Sequence, residues 1–399
     1  METFDVIIVG SGPAGVSTAL NIHRTNPELA DRILVLEKAR HPREKICAGG
    51  LTRNVEIQLD ELGISIDVPY VAVNTVRFKY GKGVLDIYEK GVSKIIRRDE
   101  FDAKLAKTVV NRGISLREEE EVTDLTRDRD YIIVITKSSK YKAKVVVGAD
   151  GVRSIVRRKM GFPAGRKLTP LCLIETPVDA NQTPEFVYKM FTFDLTYVPE
   201  GLQGYVWDFP CIINGRTYLN RGIFDRSLSP KANLREILKK ALNKRGVNLD
   251  EYRLKAHPER EFDPKGIFSV PNVLLVGDAA GIDPLIGEGI PGALEYGKIA
   301  AHEIVESFEK DIFSFKNYKR KILSSRLGKE LKMYLMFSNM LYGPRFKLTF
   351  SLLWNDAHLQ RLLMHSFMRL DNFYDNKLRL MGKLLKHLFK SKKLPKIVS

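Results

Sequence analysis

The chain has 399 residues, and a prior of roughly 100–200 residues per domain predicts two or three domains and excludes a single small binding module. Its composition, 44% hydrophobic and 28% charged with 29 Gly and 18 Pro, excludes a disordered, collagen-like or low-complexity chain. The formal charge of +17 is concentrated in residues 311–399, which hold 19 Lys and Arg against 5 Asp and Glu, whereas residues 1–310 hold 46 against 43.

Cysteine content and hydropathy indicate the compartment. Cys47, Cys172 and Cys211 form no C-x-x-C pair, which argues against a disulfide framework or a structural zinc site and favours a reducing compartment. No uncharged apolar run reaches the ~18 residues of a membrane-spanning helix. A strand-like run follows the N-terminus directly, where a signal peptide would have a basic and an apolar region. The sequence therefore predicts a cytoplasmic protein without a metal site.

The first forty residues carry a nucleotide-binding pattern. Residues 4–9 form an apolar, β-branched run typical of a buried strand, and G-S-G-P-A-G follows at 10–15. Gly10 permits a tight turn, Gly12 lets the backbone approach a pyrophosphate, and Gly15 lets the next helix pack closely. A second strand-like run leads to Glu37, which can accept hydrogen bonds from the adenosine ribose. The pattern predicts a dinucleotide-binding unit without distinguishing FAD from NAD.

Further elements are predicted along residues 51–165. Apolar residues at helical spacing from Leu51 to Leu62 predict a helix within 51–70, with Gly63 as its stop. Alternation over 71–88 predicts strands, and residues 97–102 read R-R-D-E-F-D. An apolar strand over 144–148 leads into a G-A-D-G turn that contains Asp150.

Short β-type runs over 170–225 predict an inserted sheet, and residues 234–244 predict a basic helix. Within this sheet the period of two places Tyr205, Trp207 and Phe209 on one face of a strand. Such a row of aromatic side chains suits a long apolar ligand. The alternative is the core face of a sheet, because aromatic residues are common in strands.

A later strand, residues 271–276, ends in G-D-A-A-G and is followed by P-L-I-G-E-G-I at 284–290. Asp278, at the strand end, is placed to accept a hydrogen bond from a sugar-alcohol hydroxyl. The glycines after it would let a helix begin with its N–H groups facing an electron-rich ring. Taken singly, this segment is also compatible with an ordinary strand-to-turn junction.

The G-x-G-x-x-G, G-A-D-G and G-D-A-A-G motifs occur in this order, with the R-x-x-F-D segment between the first and the second. Together they resemble the FAD-dependent oxidoreductases with the para-hydroxybenzoate hydroxylase type of fold. The resemblance covers about residues 1–165 and 265–305. It implies FAD as the cofactor, Arg98 near it and Asp278 on its ribityl chain. The implied fold class is α/β, with a Rossmann-like FAD-binding domain (1–70, 95–165 and 265–310) and an inserted antiparallel-sheet substrate domain (71–94 and 166–264). The basic charge and helical pattern of residues 311–399 predict a helical C-terminal region.

Two segments narrow the resemblance to the geranylgeranyl reductase family. These are K-I-C-A-G-G at 45–50 and Y-V-W-D-F-P at 205–210. In that family a C-x-G-type turn borders the flavin and a Y-x-W-x-F-P strand lines the substrate cavity. The flavin halogenases carry W-x-W-x-I-P in a related fold, and this chain lacks the first tryptophan.

The resemblance and the motifs yield a set of predicted site residues. Cys47, Tyr205 and Trp207 are the predicted catalytic residues, and Tyr205, Trp207 and Phe209 are predicted to bind substrate. For Cys47 three roles stay open: a proton donor, a group that tunes the flavin ring, or a structural thiol. The predicted cofactor-binding residues are Gly10, Gly12, Pro13, Ala14, Gly15, Glu37, Lys38, Cys47, Ala48, Gly50, Arg98, Val122, Asp150, Asp278, Gly287, Gly289 and Ile290.

The predicted function is an FAD-dependent reductase that saturates carbon–carbon double bonds of a geranylgeranyl or other polyprenyl chain, on a membrane lipid or a prenyl diphosphate. Two alternatives stay open: a flavin monooxygenase or halogenase of the same fold, and a membrane-associated flavoprotein serving as an assembly or electron-transfer partner. No second G-x-G-x-x-G marks a stable NAD(P) site, so the electron donor is either NAD(P)H or a small redox protein such as ferredoxin.

The last 24 residues contain eight Lys and Arg and no Asp or Glu. Leu378, Met381, Leu385 and Leu388 share one helical face, flanked by basic residues. This pattern predicts a basic amphipathic helix at an anionic membrane surface, and hence a peripheral location at its inner face. The alternative is a solvated helix packed on the core. Nucleic acid is not an expected partner, because the main body is nearly neutral and the tail carries no binding motif.

Overall fold

The computed structural model describes residues 1–165, 168–226, 233–343 and 346–367. Two sheets organise these residues. The first comprises β1 (Glu2–Val9), β2 (Ile33–Leu36), β6 (Ser115–Arg117), β7 (Val122–Asp128), β8 (Tyr131–Thr136), β9 (Lys140–Gly148), β15 (Ser269–Val270) and β16 (Val273–Leu275). The second comprises β3 (Gly50–Thr52), β4 (Tyr70–Tyr80), β5 (Gly83–Ile96), β10 (Leu168–Pro177), β11 (Met190–Asp194), β12 (Gly204–Ile213), β13 (Arg216–Asp225) and β14 (Lys255–Arg260).

The first sheet has a parallel centre in the order β16-β9-β1-β2-β6. Its central strands are fully buried, at Val6–Val9 on β1 and Val145–Val147 on β9. Such continuous apolar runs are typical of parallel strands covered on both faces. Packed with this sheet are helices α1 (Pro13–Thr25), α2 (Pro27–Ala30), α3 (Arg53–Glu61), α4 (Arg98–Asn111), α5 (Ile155–Lys159) and α8 (Gly289–Lys310).

Helices α1 and α8 cross at very short range. Ser17 Oγ donates a hydrogen bond of 2.6 Å to the carbonyl oxygen of Leu294. A Cβ on Gly297 would lie 2.6 Å from the Cβ of Ser17. The crossing therefore depends on the small residues at the contact. It fixes the positions of two helices whose first residues line one cavity.

The second sheet has the order β14-β10-β13-β12-β11-β4-β5-β3. Neighbouring strands are antiparallel except β4 and β11, which are parallel. The prediction of an antiparallel sheet is thus wrong for this one pair. The reason is topological: β11 reaches β4 after a long excursion through β10 and α6 (Pro184–Val187), so no hairpin fixes its direction.

Each face of the second sheet packs against a different layer. One face shares a core with Tyr342, Phe346 and Phe350 from the C-terminal helices. The other packs against α7 (Leu234–Asn243), which buries Leu238 and Leu242. On β12, Tyr205, Trp207 and Phe209 belong to the first of these cores and Val206 to the second, as the period of two requires.

The predicted helix over 51–70 is shorter in the structure. Leu51 lies in strand β3, which pairs with β5, and helix α3 begins only at Arg53. Residues 64–69 are irregular and Tyr70 opens β4. Leu51 is fully buried in the strand, so pairing with β5 overrode its match to the helical spacing. The stop is confirmed: Gly63 has φ +66°, the left-handed conformation that follows many helices.

The C-terminal region is helical as far as it is described. It contains α9 (Tyr318–Ser324), α10 (Arg326–Leu341), α11 (Phe346–Asn355) and α12 (Ala357–Phe367). None of the helices in the described ranges is both long and apolar enough to cross a membrane. The predicted amphipathic helix within 376–399 lies outside the described residues.

Candidate active site

The glycine-rich turn joins β1 to α1 with little space behind it. Gly10 has φ +105°, and a Cβ there would lie 2.4 Å from the carbonyl oxygen of Ala149. A Cβ on Gly15 would lie 2.0 Å from the carbonyl oxygen of Gly10. A Cβ on Gly12 would meet only a guanidinium nitrogen of Arg43 at 3.9 Å, because Gly12 faces open space. Gly10 and Gly15 therefore permit the turn, while Gly12 keeps room for a ligand.

Glu37 ends the second strand of this unit as a buried carboxylate. It accepts hydrogen bonds from the backbone and hydroxyl of Ser11 and from the backbone of Ala39. Arg43 lies 3.4 Å from Glu37 and 3.3 Å from Asp102. Burial raises the pKa of Glu37, but Arg43 and these hydrogen bonds lower it more, so the pKa falls below its usual range. Glu37 is an anion with remaining acceptor capacity beside the turn.

Arg98, at the start of α4, forms a two-pronged ion pair with Asp102 at 2.9 and 3.0 Å. Burial lowers the pKa of this guanidinium, while Asp102 and the nearby Cys47 raise it more, so it stays charged. Cys47 is partly buried, and its sulfur accepts a 3.3 Å hydrogen bond from the backbone N–H of Gly49. A fixed positive charge therefore borders the Cys47 turn.

The loop between β16 and α8 is held by carboxyl groups. Asp283 accepts hydrogen bonds from the backbone N–H groups of Leu285, Ile286 and Glu288. Burial raises the pKa of Asp283 to about 6. Glu288 accepts a 2.7 Å hydrogen bond from Thr52, and burial, reinforced by Asp283, raises its pKa to about 8. Helix α8 begins one residue later with no side chain capping its first turn.

A cavity of about 1070 Å³ connects these parts. It runs along the glycine-rich turn, Glu37, the Cys47 turn, Arg98, Asp150, Asp278 and the start of α8, and continues to the second sheet. Asp150 Oδ1 is buried there without a hydrogen-bond partner among the described residues. The first turns of α1 and α8 also lack side-chain caps, so their N–H groups suit an anion or polar ring edge.

Six aromatic rings form the wall where the cavity meets the second sheet. They are Phe191, Phe193, Tyr205, Trp207, Phe209 and Phe224. Neighbouring centroids lie 4.6 to 6.1 Å apart, for example 4.6 Å between Phe191 and Phe209. We call these six residues the aromatic wall. It is an apolar surface suited to a hydrocarbon chain.

The polar atoms of the wall are bound within the protein. Trp207 Nε1 donates to Asn220 at 2.8 Å, and Asn220 donates at 3.2 Å to the carbonyl oxygen of Cys47. The Tyr205 hydroxyl donates to the carbonyl oxygen of Ile286. These bonds join the wall to both the Cys47 turn and the loop before α8. The wall is therefore adjacent to the cofactor motifs, although it is remote from them in sequence.

Nearly all the predicted site residues line this one cavity. Those that do are Gly10, Gly12, Pro13, Ala14, Glu37, Lys38, Cys47, Ala48, Gly50, Arg98, Val122, Asp150, Tyr205, Trp207, Phe209, Asp278, Gly287, Gly289 and Ile290. Gly15 does not, because it packs against Gly10 behind the turn.

Sequence reasoning missed several residues that line the cavity. Arg43 approaches the glycine-rich turn, while His257 and Glu259 alternate along β14 toward the cavity. Phe191, Phe193 and Phe224 complete the aromatic wall. The period of two in Phe191 and Phe193 was a usable signal. No sequence motif marks His257 and Glu259, because only the pairing of β14 with β10 brings them to the cavity.

Comparison with known proteins establishes the family. A family model described as an FAD binding domain matches residues 3–294. The chain belongs to this FAD-binding family. The protein is an FAD-dependent oxidoreductase and its cofactor is FAD, as predicted.

Proteins of similar sequence include archaeal ones. The chain is 30% identical over 354 residues to an uncharacterised protein of Methanosarcina barkeri, covering 86% of this chain and 85% of the relative. It is 27% identical over 364 residues to digeranylgeranylglycerophospholipid reductase 3 of Methanosphaera stadtmanae, covering 86% and 88%. A solved structure, a geranylgeranyl bacteriochlorophyll reductase-like protein from Thermoplasma acidophilum, matches with a TM-score of 0.73 at 21% identity, covering 100% and 98%. That likeness confirms the predicted fold.

Proposed function

We propose that the protein saturates carbon–carbon double bonds of a geranylgeranyl or other polyprenyl chain, carried by a membrane lipid or a prenyl diphosphate. The observation that carries the proposal is the single cavity shared by the cofactor motifs and the aromatic wall. The relative from Methanosphaera stadtmanae, named as a reductase of a digeranylgeranyl phospholipid, supports the same substrate class.

The cofactor-binding residues divide by chemistry. The turn at Gly12, the start of α1 and Arg43 suit a pyrophosphate, because they offer backbone N–H groups and a positive charge. Glu37 suits the ribose hydroxyls and Asp278 the ribityl hydroxyls, since carboxylates accept such hydrogen bonds. Bound FAD, once reduced, supplies the hydride equivalent of the reaction.

The aromatic wall contributes orientation and exclusion of water. An isolated alkene has no carbonyl group to polarise, so placing its carbon atoms correctly in a dry cavity is the main contribution of the protein. Tyr205 and Trp207 are fixed through their polar atoms, which leaves their ring surfaces for the hydrocarbon. We therefore propose substrate contact for Tyr205, Trp207 and Phe209, and contact with the flavin for Cys47 and Arg98.

Delivery of electrons and substrate belongs to the same proposal. The electron donor is NAD(P)H or a small redox protein, and the basic C-terminal region meets an anionic membrane surface from the cytoplasmic side. The charge of residues 311–399, 19 basic against 5 acidic, supports both kinds of contact.

The test is anaerobic reoxidation of the dithionite-reduced protein, followed by flavin absorbance. Geranylgeranyl diphosphate and a digeranylgeranyl phospholipid should reoxidise the flavin, whereas the saturated phytanyl analogues should not. A monooxygenase or halogenase would reoxidise only with oxygen, and an electron-transfer flavoprotein would not distinguish the unsaturated from the saturated lipid. Either of these results would reject the proposed function.

A further inference from the structure

Glu259 lines the cavity where the part beside the cofactor motifs meets the part beside the aromatic wall. Its Oε2 lies 2.9 Å from the position that a Cβ on Gly287 would occupy, and Phe224 of the aromatic wall lies 3.4 Å from the same point. Gly287 has φ +71°, so a side chain there would be strained as well as obstructed. The carboxyl group of Glu259 therefore fills the space between the loop before α8 and the aromatic wall.

Glu259 is partly exposed as a residue, but one oxygen of its carboxyl group is buried. Its Oε2 is inaccessible to solvent and has no hydrogen-bond partner among the described residues. An ionised carboxylate in such a place would lose part of its hydration without replacement. Burial, reinforced by Asp278 and Asp283, raises the pKa of Glu259 well above its usual value, and Lys45 opposes this. These surroundings favour the neutral, protonated form of Glu259 over the carboxylate.

Charged and titratable groups face Glu259 from several elements. Asp278 and Asp283 lie toward it from the segment between β16 and α8, Lys45 from the loop after β2, and Tyr205 from β12. His257 lies two residues earlier on the same face of β14 and contacts Lys45 at 2.8 Å. Two of these groups are carboxyls, which oppose ionisation of Glu259, and the ammonium group of Lys45 already contacts His257.

The other proton-bearing groups nearby are engaged or lack an available proton. The hydroxyl of Tyr205 donates to Ile286, and burial raises its pKa well above 10. Burial and Lys45 lower the pKa of His257 to about 4, so its ring is neutral at pH 7 and one nitrogen already contacts Lys45. Glu288 also holds a proton at pH 7, because its pKa is about 8, but its carboxyl group accepts a hydrogen bond from Thr52. Glu259 differs from these groups because its Oε2 is buried and has no hydrogen-bond partner among the described residues.

We propose that Glu259 is the proton donor to the carbon–carbon double bond, an inference that rests on the proposed function. The alkene gains a hydride equivalent at one carbon from reduced FAD and a proton at the other from the Glu259 carboxyl group. The carbon–carbon π bond and the O–H bond of Glu259 break and two C–H bonds form. Reduced FAD in its anionic form would supply the hydride equivalent, so that oxidised FAD and the Glu259 carboxylate remain. Water returns the proton to Glu259 before the next turnover. This is general acid catalysis by a carboxyl group with a raised pKa.

The experiment compares Glu259→Gln with the matched control Glu185→Gln. Glu185 is also a buried glutamate with a raised pKa, but it lies outside the cavity and accepts from Thr192. With the FAD-loaded protein, reduction of geranylgeranyl diphosphate by Glu259→Gln should fall by about 100-fold or more, a typical loss of general acid catalysis. Glu185→Gln should keep the wild-type rate. The wild-type rate should fall as pH rises through the pKa of Glu259, and Glu259→Gln should lose that dependence.

A second readout is independent of turnover. Infrared spectra of the oxidised holoprotein at pH 7 should contain a protonated-carboxyl band that is missing from Glu259→Gln. If Glu259→Gln does not retain FAD, Glu259→Asp keeps the acid one methylene shorter and should lose rate while retaining the band at a shifted position.

Three results would overturn the role. Two of them, an unchanged rate and pH profile in FAD-loaded Glu259→Gln, or an ionised Glu259 in the infrared spectrum at pH 7, leave the proposed function intact. The third, no prenyl reduction by the wild type while the carboxyl band is present, rejects the proposed function and the donor role with it.

Discussion

At the residue scale, a substitution of Gly12 should affect cofactor binding without affecting folding. Its Cβ position is open to the cavity, so a side chain there would meet the pyrophosphate and little of the protein. We expect Gly12→Val to lose nearly all bound FAD, and Gly12→Ala to lose part of it, with near-native circular dichroism. The measurement is the ratio of flavin to protein absorbance after purification.

The control for Gly12 is Gly292→Ala in α8. A Cβ at Gly292 makes an ordinary contact of 3.7 Å with Leu327 and lies outside the cavity. This variant should retain full FAD. A Gly12→Val protein with a full complement of FAD would show that the glycine-rich turn does not hold the pyrophosphate.

Trp207 tests the aromatic wall. We expect Trp207→Ala to keep FAD but to lose turnover on long prenyl chains, because the ring surface that contacts the chain is removed. Trp207→Phe loses the hydrogen bond to Asn220 but keeps a ring, so it should retain most of the turnover. Steady-state kinetics and thermal unfolding are measured together. Unchanged kinetics of Trp207→Ala with a large loss of thermal stability would instead make the wall an ordinary sheet core.

The site residues that could be predicted from the sequence are those that belong to a local motif. Glycine spacing placed Gly10 and Gly12 on the cavity, and strand alternation placed Tyr205 and Trp207 on one face. Arg43, His257 and Glu259 could not be found in this way. They reach the cavity through loop conformation and through the pairing of β14 with β10, which no local pattern encodes.

At the element scale, the loop between β16 and α8 should make stability depend on pH. The pKa of Glu288 is about 8 in the folded protein against 4.5 ordinarily, so folding favours its protonated form. Its contribution is fully present below about pH 4.5 and is lost as pH rises through about 8. We expect the melting temperature of the wild type, relative to Glu288→Gln, to fall across this range. A difference that stays constant with pH would show that Glu288 is ionised in the folded protein.

The predictions of elements failed where tertiary pairing competed with local spacing. Leu51 matches the helical pattern of Val55 and Leu59, yet it lies in β3 because β5 provides a strand partner. The parallel direction of β11 against β4 could not be predicted from the sequence either, because a long connection is compatible with both directions. Elements with strong local signals, such as β1, α1 and the end of α3 at Gly63, were predicted correctly.

At the scale of the whole molecule, cofactor binding and membrane contact should be separable. Among the described residues, those that line the cavity lie between Val9 and Ala293, and eight of the chain's positive charges belong to residues 376–399. Deleting 376–399 should leave the FAD content and the activity on detergent-solubilised substrate intact but weaken binding to anionic vesicles. Vesicle binding of the full chain should also fall with salt, as the Debye length shrinks from about 10 Å at 0.1 M to about 3 Å at 1 M.

Sedimentation with anionic liposomes at low and high salt compares the two forms. Equal binding by the full and the shortened chain would place membrane contact on another surface. Aggregation of the shortened chain would show that the segment belongs to the folded core.

The central claim is that one cavity brings FAD and a prenyl chain together for reduction. Mass spectrometry of the lipid after anaerobic incubation with the dithionite-reduced protein tests it most directly. We predict products heavier by one H₂ for each reduced double bond, formed without oxygen and absent with Gly12→Val. An unchanged lipid, from a protein that carries reduced FAD, would contradict the account.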